Sequence, residues 1–321
     1  MTLLQPDVIL FLAVMHSRNI NFLSHCLLVC DLELQYMMFK IMGRFQLRFL
    51  KMNKVKSDQI RRLRHPPTRA HTSKMETTKK ILLAMDFDHT LIDENSDLWV
   101  KKLAPNGELP EHIEAQYSNT GWTQYMASIF EYLHSIGVTE RDMKQCLHEI
   151  PVTDGMEQLL KYCSDQNYET IIISDSNSVF IDLILANAQL TDLITRVFTN
   201  PAYFDESGCL KIEHYHTQDW CDLSTVNLCK GSILQDYVKK RKEEGIQFDS
   251  VVYVGDGTND LCPSLTLKER DFVCPRVDFR LWKKIQKMTS ASEADNGHKL
   301  YAQVLNWNSG LDILNCLKQF Q

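Results

Sequence analysis

No apolar run in the chain approaches the roughly 18 residues that a membrane-spanning helix requires. The longest in the N-terminal region covers 8–15, so a transmembrane anchor is not expected. A secretory signal is poorly supported as well: Asp7 precedes that run, no basic residue stands ahead of it, and no clear small-residue cleavage site follows. The ten cysteines contain no CxxC pair, which argues against a disulfide framework and for reduced thiols in an intracellular protein. Internal repeats and low-complexity blocks are also absent.

What is present is uneven. The net charge of -6 hides two opposed parts: residues 1–80 hold 14 Lys+Arg against 5 Asp+Glu, and the remainder holds 21 against 36. The segment 1–74 is expected to be a basic N-terminal extension, either a disordered tail, a presequence, or a stretch outside a natural product that begins at Met75. A cytoplasmic protein is expected, with a mitochondrial address as the alternative if 1–74 is a true presequence. The acidic remainder gives no reason to expect a nucleic-acid partner, and oligomeric state is not legible.

From Lys79 onward, short β-branched apolar runs alternate with helical periodicity. The runs 81–87, 168–174 and 250–254 read as buried parallel strands, and 121–135, 140–148, 155–163, 179–188 and 228–241 read as helices. This alternation predicts an α/β fold with a doubly wound, Rossmann-like parallel sheet. About eighty residues separate the first two strands, far more than the dozen or so that a crossover needs. Trp122, Tyr125, Met126, Ile129, Phe130 and Leu133 form an apolar stripe at helical spacing there, so a small helical cap over 100–150 is expected, with 75–99 and 151–321 as the core.

Ligands of open α/β sheets bind beyond the carboxyl ends of the strands. The three strands end in Asp86 and Asp88, Ser174 and Asp175, and Asp256, and a helix starting near Asn227 adds Lys230. Any one of these could merely end a strand or cap a helix; together they form a chemistry. Asp86, Asp88 and Asp256 offer the oxygen donors that Mg2+ prefers. With that charge and Lys230 in place, a phosphate dianion is tolerated, Asp86 can attack phosphorus, Asp88 can shuttle a proton, and Ser174 can donate to a phosphoryl oxygen.

DFDHT at 86–90, Ser174 in IIISDS, Lys230, and GDGTND at 255–260 resemble the four motifs of the haloacid dehalogenase (HAD) superfamily of phosphatases. The longer stretches DFDHTLIDENSD, IIISDSNSVFID, VFTNPA, NLCK and YVGDGTNDLCP are similar to the family containing pyridoxal phosphate phosphatase and phosphoethanolamine/phosphocholine phosphatase. The resemblance spans Lys79 to the C-terminus. It implies a HAD fold and a nucleophile at Asp86 with a general acid/base at Asp88. It also implies Mg2+ held by Asp86, the Asp88 carbonyl and Asp256, phosphate contacts from Ser174 and Lys230, and Asp260 supporting metal and lysine. Asp97 and Asp175 match substrate-binding positions, with a cap on the helix beginning near Ser178 as the lesser reading of Asp175. One departure is HYHTQDWCDLSTVNLCK, which lacks part of the family's cysteine pattern. His214, His216, Cys221 and Cys229 do not make a standard zinc spacing, so a loop with partly buried thiols is expected.

Other readings of the same residues are weaker. An EF-hand requires glycine where Leu91 stands. A non-hydrolytic phospho-receiver, or a plain Mg2+/phosphate-binding module, would not require the second carboxylate, Asp88. The partner expected is a small phosphorylated metabolite admitted beneath the cap, with pyridoxal 5'-phosphate ahead of phosphoethanolamine or phosphocholine.

Overall fold

The computed structural model describes residues 79–117, 121–290 and 298–320, all within one compact unit, Met75–Gln321. The expectations for 1–74, including the choice of start, lie outside the described residues. Among the described residues, eight strands are formed: β1 Ile81–Met85, β2 Glu169–Asn177, β3 Arg196–Asn200, β4 Ala202–Phe204, β5 Leu210–Ile212, β6 Ser250–Gly255, β7 Phe272–Pro275 and β8 Gln303–Val304. Six make a fully parallel sheet in the order β3-β2-β1-β6-β7-β8, and β4 and β5 form a separate antiparallel hairpin. The expected doubly wound sheet is therefore present, with β1 at its centre.

The main helices are α1 Trp122–Ser135, α2 Glu140–Leu147, α3 Met156–Asp165, α4 Ser178–Asn187, α5 Lys230–Glu243, α6 Leu261–Thr266, α7 Arg280–Ser290 and α8 Gly310–Leu317. Their two-sided arrangement follows from the period of the central strand. Side chains of a strand alternate between faces, so ILLAM feeds two cores. Ile81, Leu83 and Met85 join the cluster built with α1, α2, α3, α4 and α8, while Leu82 and Ala84 join that of α5, α6 and α7. All five are fully buried, which explains a continuous apolar run in place of an alternating one.

The insertion between β1 and β2 carries α1 and α2. Five of the six stripe residues are buried core; Trp122 is half-buried and turns its indole elsewhere. The β4–β5 hairpin packs on α1, with Lys211 paired to Glu131 at 3.0 Å, an element too short to show in the sequence pattern. The chain returns to the sheet through 151–155. There the Gly310 N–H donates to the Asp154 carbonyl at 2.8 Å, and a Cβ at Gly155 would lie 2.6 Å from the Leu311 nitrogen. Two glycines, Gly155 and Gly310, thus let α8 press backbone to backbone on the return hinge.

Candidate active site

The Asp86 N–H donates to the Val254 carbonyl at 2.9 Å, so the β1–β6 ladder reaches one residue past the strand and locks the Asp86 backbone. The chain then turns sharply: His89 adopts a left-handed conformation, with φ of 53°, and its carbonyl accepts from Arg276 at 2.7 Å. Arg276 also pairs with Asp93 at 2.5 Å. This turn separates the two carboxylates of DFD. Asp86 faces Lys230, its Oδ2 2.5 Å from Nζ, and its Oδ1 accepts from the Phe87 N–H at 2.7 Å. Asp88 turns toward the insertion, where its Oδ1 accepts from the Ser96 N–H at 2.9 Å.

Lys230 is 1% exposed and bridges Asp86 and Asp260, the latter at 2.8 Å. Asp260 is saturated: Oδ1 accepts from Lys230 and Tyr253, and Oδ2 from the N–H groups of Asp256 and Gly257. A Cβ at Gly255 would collide with the Asp260 carboxylate, so only glycine lets it pack so closely. Asp256 keeps a freer carboxylate, touched by Thr90 Oγ1 at 3.4 Å. Ser174 is buried, and its Oγ accepts from the Ser176 N–H at 3.1 Å. β2 runs on to Asn177, past the expected end at 174, with its register slipping between Ile173 and Asn177; that irregularity carries Ser174 and Asp175.

Asp175 is not a cap. The cap of α4 is Asn177, whose side chain accepts from the Phe180 N–H at 3.1 Å. Asp175 instead accepts from Asn227 at 2.8 Å, Thr225 at 3.3 Å and Asn259 at 2.6 Å, joining β2 to the loop before α5 and to the GDGTND turn. Likewise α5 begins at Lys230, with Cys229 as its cap, and not near Asn227; the Asn227 side chain is spent on Asp175 and Asn200. Asp97, 2% exposed, accepts from the Trp122 indole at 2.8 Å and from Asn177 at 3.5 Å, while Ser96 and Ser176 share a hydrogen bond at 2.9 Å beside it. Trp122, Asn177, Asn227, Asn259 and Tyr253 were not singled out as site residues. Asn227 and Asn259 lie within the quoted motifs NLCK and GDGTND, whereas Trp122 looked like core because its spacing matched the apolar stripe.

The electrostatics follow from burial of like charges. Burial pushes Asp86 well above the ordinary carboxylate range, with Asp260 and Asp256 adding to the rise and Lys230 opposing it. Asp88 is raised to about 6, chiefly by burial and against the Ser96 hydrogen bond. Asp256 reaches about 7 by burial and repulsion from Asp260, and Asp97 about 8 by burial and repulsion from Asp88. Burial would lower Lys230, but Asp260 and then Asp86 outweigh it and hold the ammonium charged above the usual lysine range. Lys230, with Arg276 acting on Asp256 as well, is set against Asp86, Asp88, Asp256 and Asp260, which leaves room for a further cation. Asp86, Asp256 and Asp260 each place an oxygen within 4.8 Å of the others. Since Asp260 is consumed by its four hydrogen bonds, Asp86 and Asp256 are the donors that fit a hard cation such as Mg2+.

Residues 81–321 match the family described as Putative Phosphatase. The chain is 41% identical over 241 residues to pyridoxal phosphate phosphatase PHOSPHO2 of Homo sapiens, covering 74% of this chain and 98% of that protein. It is 34% identical over 242 residues to the phosphoethanolamine/phosphocholine phosphatase of Homo sapiens, covering 75% and 89%. The chain belongs to this phosphatase family. It is therefore a phosphoric monoester hydrolase of the HAD type, and not a non-hydrolytic receiver or binding module. The fold agrees with a probable phosphoserine phosphatase from Vibrio cholerae, at a TM-score of 0.52 and 17% identity over 75% of this chain and 65% of that one. Among the described residues, no helix is long and apolar enough to cross a membrane.

Proposed function

We propose that this phosphatase is Mg2+-dependent, acts in the cytoplasm, and hydrolyses a small phosphomonoester through an aspartyl-phosphate on Asp86, with pyridoxal 5'-phosphate as the first substrate. The observation that carries the mechanism is the division of labour within DFD. Asp86 is pinned by its backbone ladder and by Lys230, so its carboxylate is held for attack, while Asp88 points to the insertion with a pKa raised to about 6. A carboxyl titrating there suits proton transfer near neutrality.

In the first step an Asp86 oxygen bonds to phosphorus as the ester P–O bond breaks, and Asp88 gives its proton to the departing oxygen. In the second, Asp88 takes a proton from water as that water displaces Asp86, releasing phosphate and restoring both groups. Ser174 and Lys230 bind phosphoryl oxygens, and Asp260 keeps Lys230 charged and aimed. Asp86, the Asp88 carbonyl and Asp256 would hold Mg2+, which when bound offsets the carboxylate charge and the charge on the phosphoryl oxygens. The segment 100–150 serves as the cap that restricts entry to small esters.

The greater identity to the pyridoxal phosphate phosphatase favours that substrate. A specific observation supports the second reading, phosphoethanolamine or phosphocholine: Asp175 raises Asp88, and Asp88 and Asp175 raise Asp97, so a nearby cationic head group would offset the charge these carboxyls carry when ionised. The deciding experiment is a kcat/KM comparison of the three esters with the purified full chain and Mg2+. Equal values for all three would remove the preference, and turnover without a divalent cation would overturn the mechanism.

A further inference from the structure

Where α5 begins and α6 packs against it, three thiols converge. Cys221 comes from the loop before α5, Cys229 caps α5, and Cys262 lies in the first turn of α6. Their sulfur atoms all fall within 4.8 Å of one another: Cys221 to Cys262 is 3.4 Å and Cys229 to Cys262 is 3.8 Å. These are not disulfide distances, which are about 2.05 Å. They are close to the edge of a tetrahedron of thiolates around one ion, about 3.8 Å for a metal–sulfur bond of about 2.3 Å. The fourth corner is also furnished. The Ser224 hydroxyl lies 3.4 Å from Cys221 Sγ and accepts from it, which places an oxygen beside the three sulfurs.

We propose that Cys221, Cys229 and Cys262 bind one thiolate-preferring divalent ion of the zinc class, with Ser224 Oγ or a water in the fourth position. The set differs from the one weighed from sequence spacing. His216 is turned away, its Nε2 accepting from the Cys229 N–H at 2.8 Å, and His214 meets Gln124 at 3.1 Å. Cys262 replaces them, brought in from the GDGTNDLCP stretch, 33 positions after Cys229. Cys229 stands at the positive end of a 14-residue helix, which favours a thiolate. Cys229 and Cys262 are buried while Cys221 is partly exposed, giving a sheltered site with one open side. The chemistry is orthogonal to that of the carboxylates: sulfur selects zinc-class ions and oxygen selects Mg2+.

The ion is a staple. Cys229 immediately precedes Lys230 and Cys262 follows Asp260 by two, so one ion ties together the chain segments that place both members of that ion pair. It also anchors the loop whose Thr225 and Asn227 hold Asp175. Gly231 sits against Cys262 so closely that a Cβ there would overlap its sulfur, which shows how tightly α5 and α6 are joined at this point.

The test uses the full chain, stripped with a chelator and reloaded with Zn2+ or Co2+. Expected are one equivalent of zinc that persists in Asp256→Asn, a rise in melting temperature, and a thiolate-to-cobalt charge-transfer band in the near ultraviolet, which carboxylate ligands cannot produce. Cys262→Ser should lose the band and the zinc; Cys221→Ser, on the partly exposed loop, serves if the buried variant does not fold. Ser224→Cys should slow zinc release to a chelator by about tenfold or more by supplying a fourth thiolate. A folded wild-type protein without the cobalt band would overturn the proposal, as would equal zinc content in wild type and Cys221→Ser, or a native Cys221–Cys262 disulfide.

Discussion

Two polar clusters flank the DFD turn, and they are built differently. The cluster of Asp86, Lys230, Asp260 and Asp256 lies at the ends of β1 and β6 and is held by charge. The cluster of Asp97, Trp122, Asn177, Ser96 and Ser176 spans the junction of insertion and core and is held by hydrogen bonds to neutral donors. The first has its geometry fixed by strands whose own packing is complete. The second exists only while the insertion is seated on the core. On the function proposed above, the first cluster would perform the reaction and the second would admit or refuse a substrate.

The strongest way to break the charged cluster is Asp86→Asn. Phosphate release should fall by about a thousandfold or more, with the melting temperature maintained or raised because a buried repulsion is removed. Retention of full activity would contradict the assignment. Lys230→Met comes next: Asp86 and Asp260 lose their shared cation, so urea unfolding should report a loss of about 3–5 kcal/mol together with lost turnover. A mild effect on stability would mean that the two carboxylates find another partner.

The neutral cluster should respond more gently. Trp122→Phe removes the donor to Asp97 and should cost about 1–3 kcal/mol in kcat/KM, through KM more than kcat, if the cluster governs entry. A fall in kcat with unchanged KM would place Trp122 with the charged group instead. A further effect concerns pH. In the folded protein Asp97 keeps its proton up to about 8, whereas an unfolded aspartate gives it up near 4. Its contribution to stability is thus full below about pH 4 and is lost as pH rises through about 8. Asp97→Asn stays neutral throughout, so its stability relative to wild type should improve by up to about 4 kcal/mol between pH 5 and pH 8.5 in urea titrations. A pH-independent difference would show that Asp97 is already ionised.

This contrast also explains what could be read in advance. β1, β2 and β6 were legible because buried parallel strands are continuous apolar runs, and their ends delivered Asp86, Asp88, Ser174 and Asp256 in order. The short strands β4, β5, β7 and β8 leave too few residues for a pattern. Asp97 came only from resemblance, and Trp122 could not be told from its stripe neighbours. Its partner is 25 residues away across a junction that no periodicity describes. Asp175 was read as a strand end that might be a cap; only the three side chains converging on it from two other segments settle the matter.

The glycine contact between 155 and 310 has a bearing on when the enzyme becomes competent. The hinge by which the insertion rejoins the sheet is clamped by a helix that begins at Gly310, far downstream of Gly155. On the ribosome, the DFD turn, the insertion and β2 emerge long before Gly310–Leu317, so the clamp on the return hinge waits for α8. A nascent chain thus carries its reactive carboxylates under an unfastened roof. With the insertion as the proposed cap, the order of synthesis would make the docking of α8 the event that closes the site.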